Sequence, residues 1–428
     1  MSRQDCSKQA QKRQRIKKTT LVVGVDVGCE FNAVALMSKD GEVFGEYPKV
    51  YNSRKGFDYF VQVIEAVRRR KGMKEVFIGL EPTGHYWRKL AFFAKQRGFE
   101  VRFIRTTALK HQRELDESSS AKSDIKDALT IGNITREGKY IDTVIEGGIF
   151  SQLRTLAKVR EKTLRYSVSA QNTLTAVLED YFPELKTIFC SMKTRSLWAI
   201  LKSCPFPQDV LRCELATITE IISKSSYRKA SAAKKARDLF EAAKQSVGLK
   251  EVGEADRYRL KRYLEEVMRS QILLKEVGIQ MKNLLKQIPC SESLLSIPGI
   301  GPISAAIFLG ELGNPAYFGH PRQIIKYSGY DPQECDSGHR VGRKRISKKG
   351  RWLLRKILFF MTMKVVQECQ FFRDYYQRKL KNENRFGQLL KKKEALCAVT
   401  IKLIKVIFAL FRDQRGYQDK APALTLVA

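Results

Sequence analysis

The first hundred or so residues are punctuated in a way that few folds accept. Three strand-like segments, "LVVGVDV" at 21–27, "FNAVALM" at 31–37 and "EVFGEYPKV" at 42–50, follow one another with almost no chain between them. The "SKDGE" that joins the second to the third carries an Asp-Gly pair, a strong hairpin signal. Links this short join antiparallel neighbours, so the three form a meander. A helical stretch follows, "RKGFDYFVQVIEAVRRRKG", closing on a glycine with basic residues in its last turn. Then come a buried strand "EVFIGLEP", a helix "TGHYWRKLAFFAKQRG", a strand "EVRFIRTTA" and a helix containing "AKSDIKDALTIGN". Meander, helix, strand, helix, strand, helix predicts an α/β layer with a mixed sheet.

From about residue 145 the strand signals stop. Leu153, Leu156, Leu174, Val177 and Leu178 make one amphipathic pattern. In a second, Leu260, Val267, Leu274, Met281 and Ile288 recur every seven residues, with Leu264 and Leu285 between them. That spacing predicts a coiled-coil seam, interrupted at Gln271 and Gly278, or an ordinary long bundle helix. The basic "SKSSYRKASAAKKARD" between the two patterns reads as a loop or a nucleic-acid-facing helix, and residues 185–255 carry no recognisable motif. Five segments are therefore expected: a mobile basic arm (1–18), an α/β domain (19–145), a helical or coiled-coil domain (146–289), a mainly helical C-terminal domain (290–375) and a basic helical tail (376–428).

Charge narrows the partner. Lys and Arg number 79 against 45 Asp and Glu, a formal net charge of +34. Such a surplus repels itself unless an anion is near, and nucleic acid is the commonest such partner. A membrane surface is the rival. The chain shows no signal-peptide pattern and no apolar run of spanning length, since "LCAVTIKLIKVIFALF" is short and broken by Lys402 and Lys405. A cytoplasmic, nucleoid-associated protein of a bacterial or archaeal cell is expected, without membrane contact. Nine scattered cysteines and four histidines suggest neither a disulfide framework nor a zinc site.

Against this positive background four acids stand out. Asp26 sits inside the first apolar strand and Glu81 ends the fourth. A carboxylate there is costly unless paired, hydrogen-bonded or metal-bound. If those strands are neighbours, the two side chains project at adjacent points. Asp124 and Asp127, three apart on a helix, share a face and can close the group from above. Taken singly, Asp26 reads equally as a strand-end cap and Asp124 as an acid favoured by a helix N-terminus. Four converging carboxylates call for divalent cations, and Mg²⁺ prefers such hard oxygen donors. Two ions about 3.5–4 Å apart stabilise both the attacking and the leaving oxygen of phosphoryl transfer.

Near the C-terminus "IPGIGPISAA" resembles a helix-hairpin-helix, in which Gly299 and Gly301 let the turn approach a phosphate. A tight turn between two core helices is the alternative. Downstream, Arg340, Arg343, Lys344, Arg345, Lys348, Lys349, Arg351 and Arg355 surround Ser337 and Ser347. Cations of this density can activate a serine and stabilise a pentacoordinate phosphate. Ser347 equally suits a helix N-cap, and Ser337 a turn.

These motifs together carry a family resemblance. "GVDVG", "LEPTGHYW", "KSDIKDA", "SIPGIGPISA" and "SGHRVGRKRISKKGRWLLR", in that order, resemble the DEDD-motif transposases of the IS one-ten / IS eleven-eleven insertion sequences. The resemblance runs from about residue 20 to residue 375; residues 185–255 and both basic termini lie outside its motifs. It implies a ribonuclease H-like (RuvC-like) N-terminal domain, a helical coiled-coil linker and a C-terminal transposase domain. It implies that Asp26, Glu81, Asp124 and Asp127 are the metal-binding tetrad, and that Ser337 is the nucleophile linking covalently to DNA, with Ser347 its competitor. It implies a guide RNA encoded by the element and a homo-oligomer, dimer or tetramer, with a composite active site. The rival functions are a metal-dependent Holliday-junction-type nuclease and a catalytically inactive nucleic-acid-binding derivative.

Overall fold

The structure is a computed structural model that describes residues 3–82, 84–116, 123–141, 147–189, 191–226, 229–333, 342, 344–384 and 386–419. The chain divides into two compact units, residues 1–145 and 146–428.

The first unit contains α1 (Arg3–Gln14), β1 (Thr20–Val27), β2 (Phe31–Met37), β3 (Lys49–Tyr51), α2 (Arg54–Arg70), β4 (Glu75–Leu80), α3 (Trp87–Gln96), β5 (Glu100–Phe103), α4 (Thr106–Asp116) and α5 (Asp124–Arg136). The sheet runs β3-β2-β1-β4-β5, with β1 central. β2 is antiparallel to both β1 and β3, whereas β1, β4 and β5 run parallel. Alternation along β1 sends Leu21, Val23 and Val25 to one face, where Phe60 and Ile64 of α2 and Leu90 and Ala94 of α3 cover them. Val22 and Phe77 point to the other, under Ala128, Ile131 and Ile134 of α5. A five-stranded mixed sheet between helices follows, consistent with the ribonuclease H-like expectation.

Three local expectations differ from what is found. The third strand contracts to three residues, because Gly45 adopts a positive φ of 76° and Val43 makes only an isolated bridge to Met37. The last strand ends at Phe103, and its expected tail is the start of α4. Residues 3–14, read as part of a mobile arm, are helical. Lys12 donates to the Tyr140 carbonyl at 2.7 Å and Tyr140 returns its hydroxyl to the Lys12 carbonyl at 3.2 Å. Gly138, with φ 74°, leaves no Cβ in the way of α1; one would lie 2.7 Å from the Arg13 nitrogen.

Among its described residues the second unit is helical apart from one two-stranded antiparallel sheet. It contains α6 (Gly148–Tyr181), α7 (Leu185–Ile188), α8 (Arg195–Ser203), α9 (Pro207–Arg212), α10 (Leu215–Ser225), α11 (Ala232–Lys244), α12 (Glu254–Leu285), α13 (Ser291–Leu295), α14 (Pro302–Leu312), α15 (Pro321–Ser328), β6 (Pro332–Gln333), β7 (Arg345–Ile346), α16 (Trp352–Glu368), α17 (Gln370–Leu380) and α18 (Lys392–Asp413). The heptad leucines of α12 find their partner within the chain. Leu153 and Ala157 of α6 share a core with Val277, Met281 and Leu285, while Leu174 and Val177 share another with Leu260, Leu264 and Val267. The two long helices are therefore antiparallel. One end of the pair is completed by α13–α18, the other by α7–α11, which gives residues 185–250 a place as a helical cap. No helix among the described residues is long and apolar enough to cross a membrane.

Candidate active site

β1 and β4 pair in parallel through Val25–Leu80, and each is followed at once by an acid, Asp26 and Glu81. Neighbouring parallel strands place equivalent residues on the same face. Here that is the face bearing Val22 and Phe77, under α5. Glu81 is buried at 5% exposure and Asp26 half-buried.

How α5 reaches this point is a matter of glycine. A Cβ on Gly24 of β1 would run into the Ala128 carbonyl oxygen and lie 2.5 Å from the Gly132 nitrogen. A Cβ on Gly79 of β4 would run into the Thr135 hydroxyl. At Gly24 helix and strand thus touch through backbone, while Gly79 makes room for the Thr135 side chain. One turn N-terminal to this contact stand Asp124, exposed, and Asp127, buried at 3% exposure. Both lie in the first turn of α5, where the helix dipole favours negative charge.

Asp26 lies in the field of the other three carboxylates. Asp26 is pushed up from 3.8 to about 6, first by burial and then by the charges of Asp127, Asp124 and Glu81, with Arg113 opposing. Arg113 of α4 sets its Nη2 2.5 Å from Asp127 Oδ2. That oxygen has no partner in directed hydrogen-bond geometry, and neither does Arg113 Nε. The contact is an ion pair without a well-formed hydrogen bond. Among the described residues no three carboxylate, thiol or imidazole groups are arranged to hold one ion as they stand. The donor set nonetheless fits a hard divalent cation: only oxygen donors, an excess of negative charge, and one buried oxygen lacking a directed partner. Arg113 carried no signal in the sequence, where α4 itself went unread.

The C-terminal candidates divide. Gly299, with φ 89°, packs against α16, where a Cβ would lie 2.8 Å from the Lys364 carbonyl carbon. Gly301 is exposed at the N-cap of α14, with Pro302 in the first helical position and nothing within 4 Å of a Cβ. Arg345, Lys348 and Lys349 are exposed beside the β6–β7 pair, as is Lys344. Arg351 turns inward, its Nη1 3.4 Å from Oε2 of buried Glu311 and its guanidinium 5.1 Å from the Tyr327 ring centre. Ser347 is not the N-cap of α16, a place taken by Arg351; its hydroxyl bonds the Gly329 carbonyl at 3.4 Å. Ser337, Arg340 and Arg343 lie outside the described residues.

Comparison with known proteins covers both units. Residues 23–183 match the DEDD transposase family of IS110, and residues 291–377 match the transposase family IS116/IS110/IS902. The 44.8 kDa protein of insertion element IS116 from Streptomyces clavuligerus is 23% identical over 95% of this chain and 98% of its own length. The 43.6 kDa protein of insertion element IS110 from Streptomyces coelicolor is 23% identical over 77% of this chain and 80% of its own. A mini-circle putative transposase for IS117, also from Streptomyces coelicolor, is 25% identical over 56% of this chain and 61% of its own. With more than half of its residues inside the two matched segments, the chain belongs to the IS116/IS110/IS902 family of transposases, DNA phosphoryl-transfer enzymes of insertion elements.

Proposed function

We propose that this transposase cuts and rejoins DNA strands at the ends of its own element through a serine nucleophile and a metal-binding carboxylate cluster. Asp26, Glu81, Asp124 and Asp127 would hold Mg²⁺, most simply two ions, which would supply charge stabilisation on the phosphate being transferred. The observation that carries this reading is the placement of Asp26 and Glu81 at equivalent ends of two paired strands under the helix whose first turn holds Asp124 and Asp127. In the proposed scheme Glu81 and Asp26 present their oxygens from the sheet, while Asp124 and Asp127 do so from α5. Arg113 releases Asp127 when the cluster is loaded. The Ser337 oxygen forms a bond to the scissile phosphorus and gives up its proton to solvent, while the 3′ oxygen of the cut strand leaves and takes a proton from solvent to become a hydroxyl. A strand hydroxyl then attacks the serine phosphodiester and frees the serine, so no external energy source is consumed. Arg345, Lys348 and Lys349, with Arg340, Arg343 and Lys344, bind the DNA backbone, and Gly301 at the start of α14 adds amide donors to it. An element-encoded guide RNA and a homo-oligomer, dimer or tetramer, complete the proposal. Their support is the family resemblance together with the +34 charge.

The test is covalent capture. Wild-type protein, Ser337→Ala and Ser347→Ala are mixed with labelled element-end DNA and Mg²⁺, then denatured. Labelled DNA should stay on wild type and on Ser347→Ala and be lost from Ser337→Ala. Cleavage that survives in Ser337→Ala without a protein–DNA adduct would sink the serine step and favour a water-using nuclease.

A further inference from the structure

Between its two apolar ends the α6/α12 pair turns polar. Ser167 of α6 is buried at 1% exposure, and its hydroxyl lies 2.9 Å from Gln171 Nε2 and 3.5 Å from Gln271 Nε2. Gln271 holds the heptad position that leucine fills at 264 and 285. Beside this trio lies a cavity of about 340 Å³, lined among others by Arg160, Lys193 and Lys275. No carboxylate lines it.

The cations at this waist are poorly compensated. Among the described residues, neither Arg160, Lys193 nor Lys275 forms an ion pair with an acid, and Arg160 Nε is buried without a hydrogen-bond partner. Glu161, which follows Arg160 in sequence, is engaged elsewhere: Lys356 Nζ reaches its two oxygens at 2.7 and 2.8 Å, and Arg165 Nε lies 3.2 Å away. Burial accordingly disfavours the charged form of Arg160, with Glu161 only partly offsetting it. A single polar residue in a helical seam can be kept to fix register. Gln271 and Ser167 would suffice for that, and three uncompensated cations would not be needed.

We propose that this waist cavity is a binding site for a phosphodiester group of a nucleic-acid backbone. The guanidinium and the two ammonium groups neutralise the phosphate; Gln171 spends both amide hydrogens on the Ser167 carbonyl and hydroxyl, and the Gln271 amide hydrogen not given to Ser167 donates to a free oxygen of the phosphate. Such contacts position a strand without reading its bases. Lys193, Gln271 and Lys275 lie between the two segments matched to the transposase families, so those matches do not account for them. The proposal is independent of the carboxylate cluster and of Ser337.

The experiment measures binding of full-length protein to a labelled single-stranded RNA, and separately to a labelled DNA duplex, across a salt series. Lys193 and Lys275 are exposed, so Lys193→Ala/Lys275→Ala leaves the fold intact. The control is Lys202→Ala/Lys250→Ala, which removes the same charge from exposed sites elsewhere in the same unit. Each lost phosphate contact lowers the slope of log affinity against log salt by about 0.7 for single strands and 0.9 for duplex. The cavity pair should lower the slope by about one contact or more and the affinity by about tenfold, on one probe or both; the probe affected identifies the nucleic acid held there. If the cavity pair weakens both probes no more than the control pair, the proposal is overturned. Gln271→Leu supplies a second arm, since it should melt no lower than wild type yet bind the affected probe more weakly. Unchanged binding would assign Gln271 to helix register and remove it from the site.

Discussion

Two residues of the acidic cluster carry opposite energetic signs. Asp26 is held charged at neutral pH against burial and three like charges. Its raised proton affinity means that the folded state resists ionisation more than the unfolded chain does. The penalty is absent below the unfolded value of 3.8, grows as pH rises toward about 6, and is complete above that. Discounted for its half exposure, it amounts to about 1–2 kcal/mol. Asp26→Asn should therefore melt a few degrees higher than wild type at pH 7.5 in EDTA, lose that advantage at pH 4, and abolish strand cleavage. Thermal melts at both pH values and a cleavage assay check it. Arg113 acts in the other direction, because removing it leaves buried Asp127 without its cation. Arg113→Gln should destabilise the protein in EDTA by about 1–3 kcal/mol, and Mg²⁺ should raise the melting temperature more in the variant than in wild type. Equal Mg²⁺ responses would separate Arg113 from the ion site. Asp26 and Glu81 were legible as candidates because a carboxylate ending an apolar strand is conspicuous. Arg113 was not, being one cation among seventy-nine Lys and Arg in a stretch beyond the expected strand that was given no element.

Among the elements, α5 depends on glycine more than on its own apolar stripe. Gly24→Ala would place a methyl group against the Ala128 carbonyl, a backbone atom that cannot step aside without moving the helix. Gly132→Ala meets the tip of Met37, with Cε 2.5 Å away, and a thioether can rotate. Gly24→Ala should cost about 3 kcal/mol or more and all cleavage activity. Gly132→Ala should be near neutral, since the better helix residue offsets some crowding by up to about 1 kcal/mol. Urea titration of the two variants side by side distinguishes them. The strands themselves were readable from β-branched runs and an Asp-Gly turn. The pairing of α6 with α12 was less so, because a heptad pattern states that a seam exists and not whose residues close it. Residues 185–250 had no motif because their task, capping the end of that pair with Phe189, Phe206 and Leu239, needs only apolar bulk.

For the whole molecule, the division at residue 145 makes a simple expectation. Residues 1–145 contain both faces of their sheet, with Ile16, Val22, Phe77 and Ile131 in one core and Leu21, Ile64 and Leu90 in the other. Expressed alone they should unfold cooperatively and reproduce the melting shift of Asp26→Asn, as circular dichroism would show. A noncooperative melt would mean that this unit depends on the remainder of the chain.

The direct seating of α5 on the sheet has one more consequence. Where a helix rests on a layer of side chains, every core substitution alters its height, and any group it carries drifts with the packing. At Gly24 the backbone of α5 meets the backbone of β1 directly, so at that one point the height of the helix that carries Asp124 and Asp127 above the strand that carries Asp26 is limited by atomic radii. The site carries its own ruler, cut from a residue that has no side chain to vary.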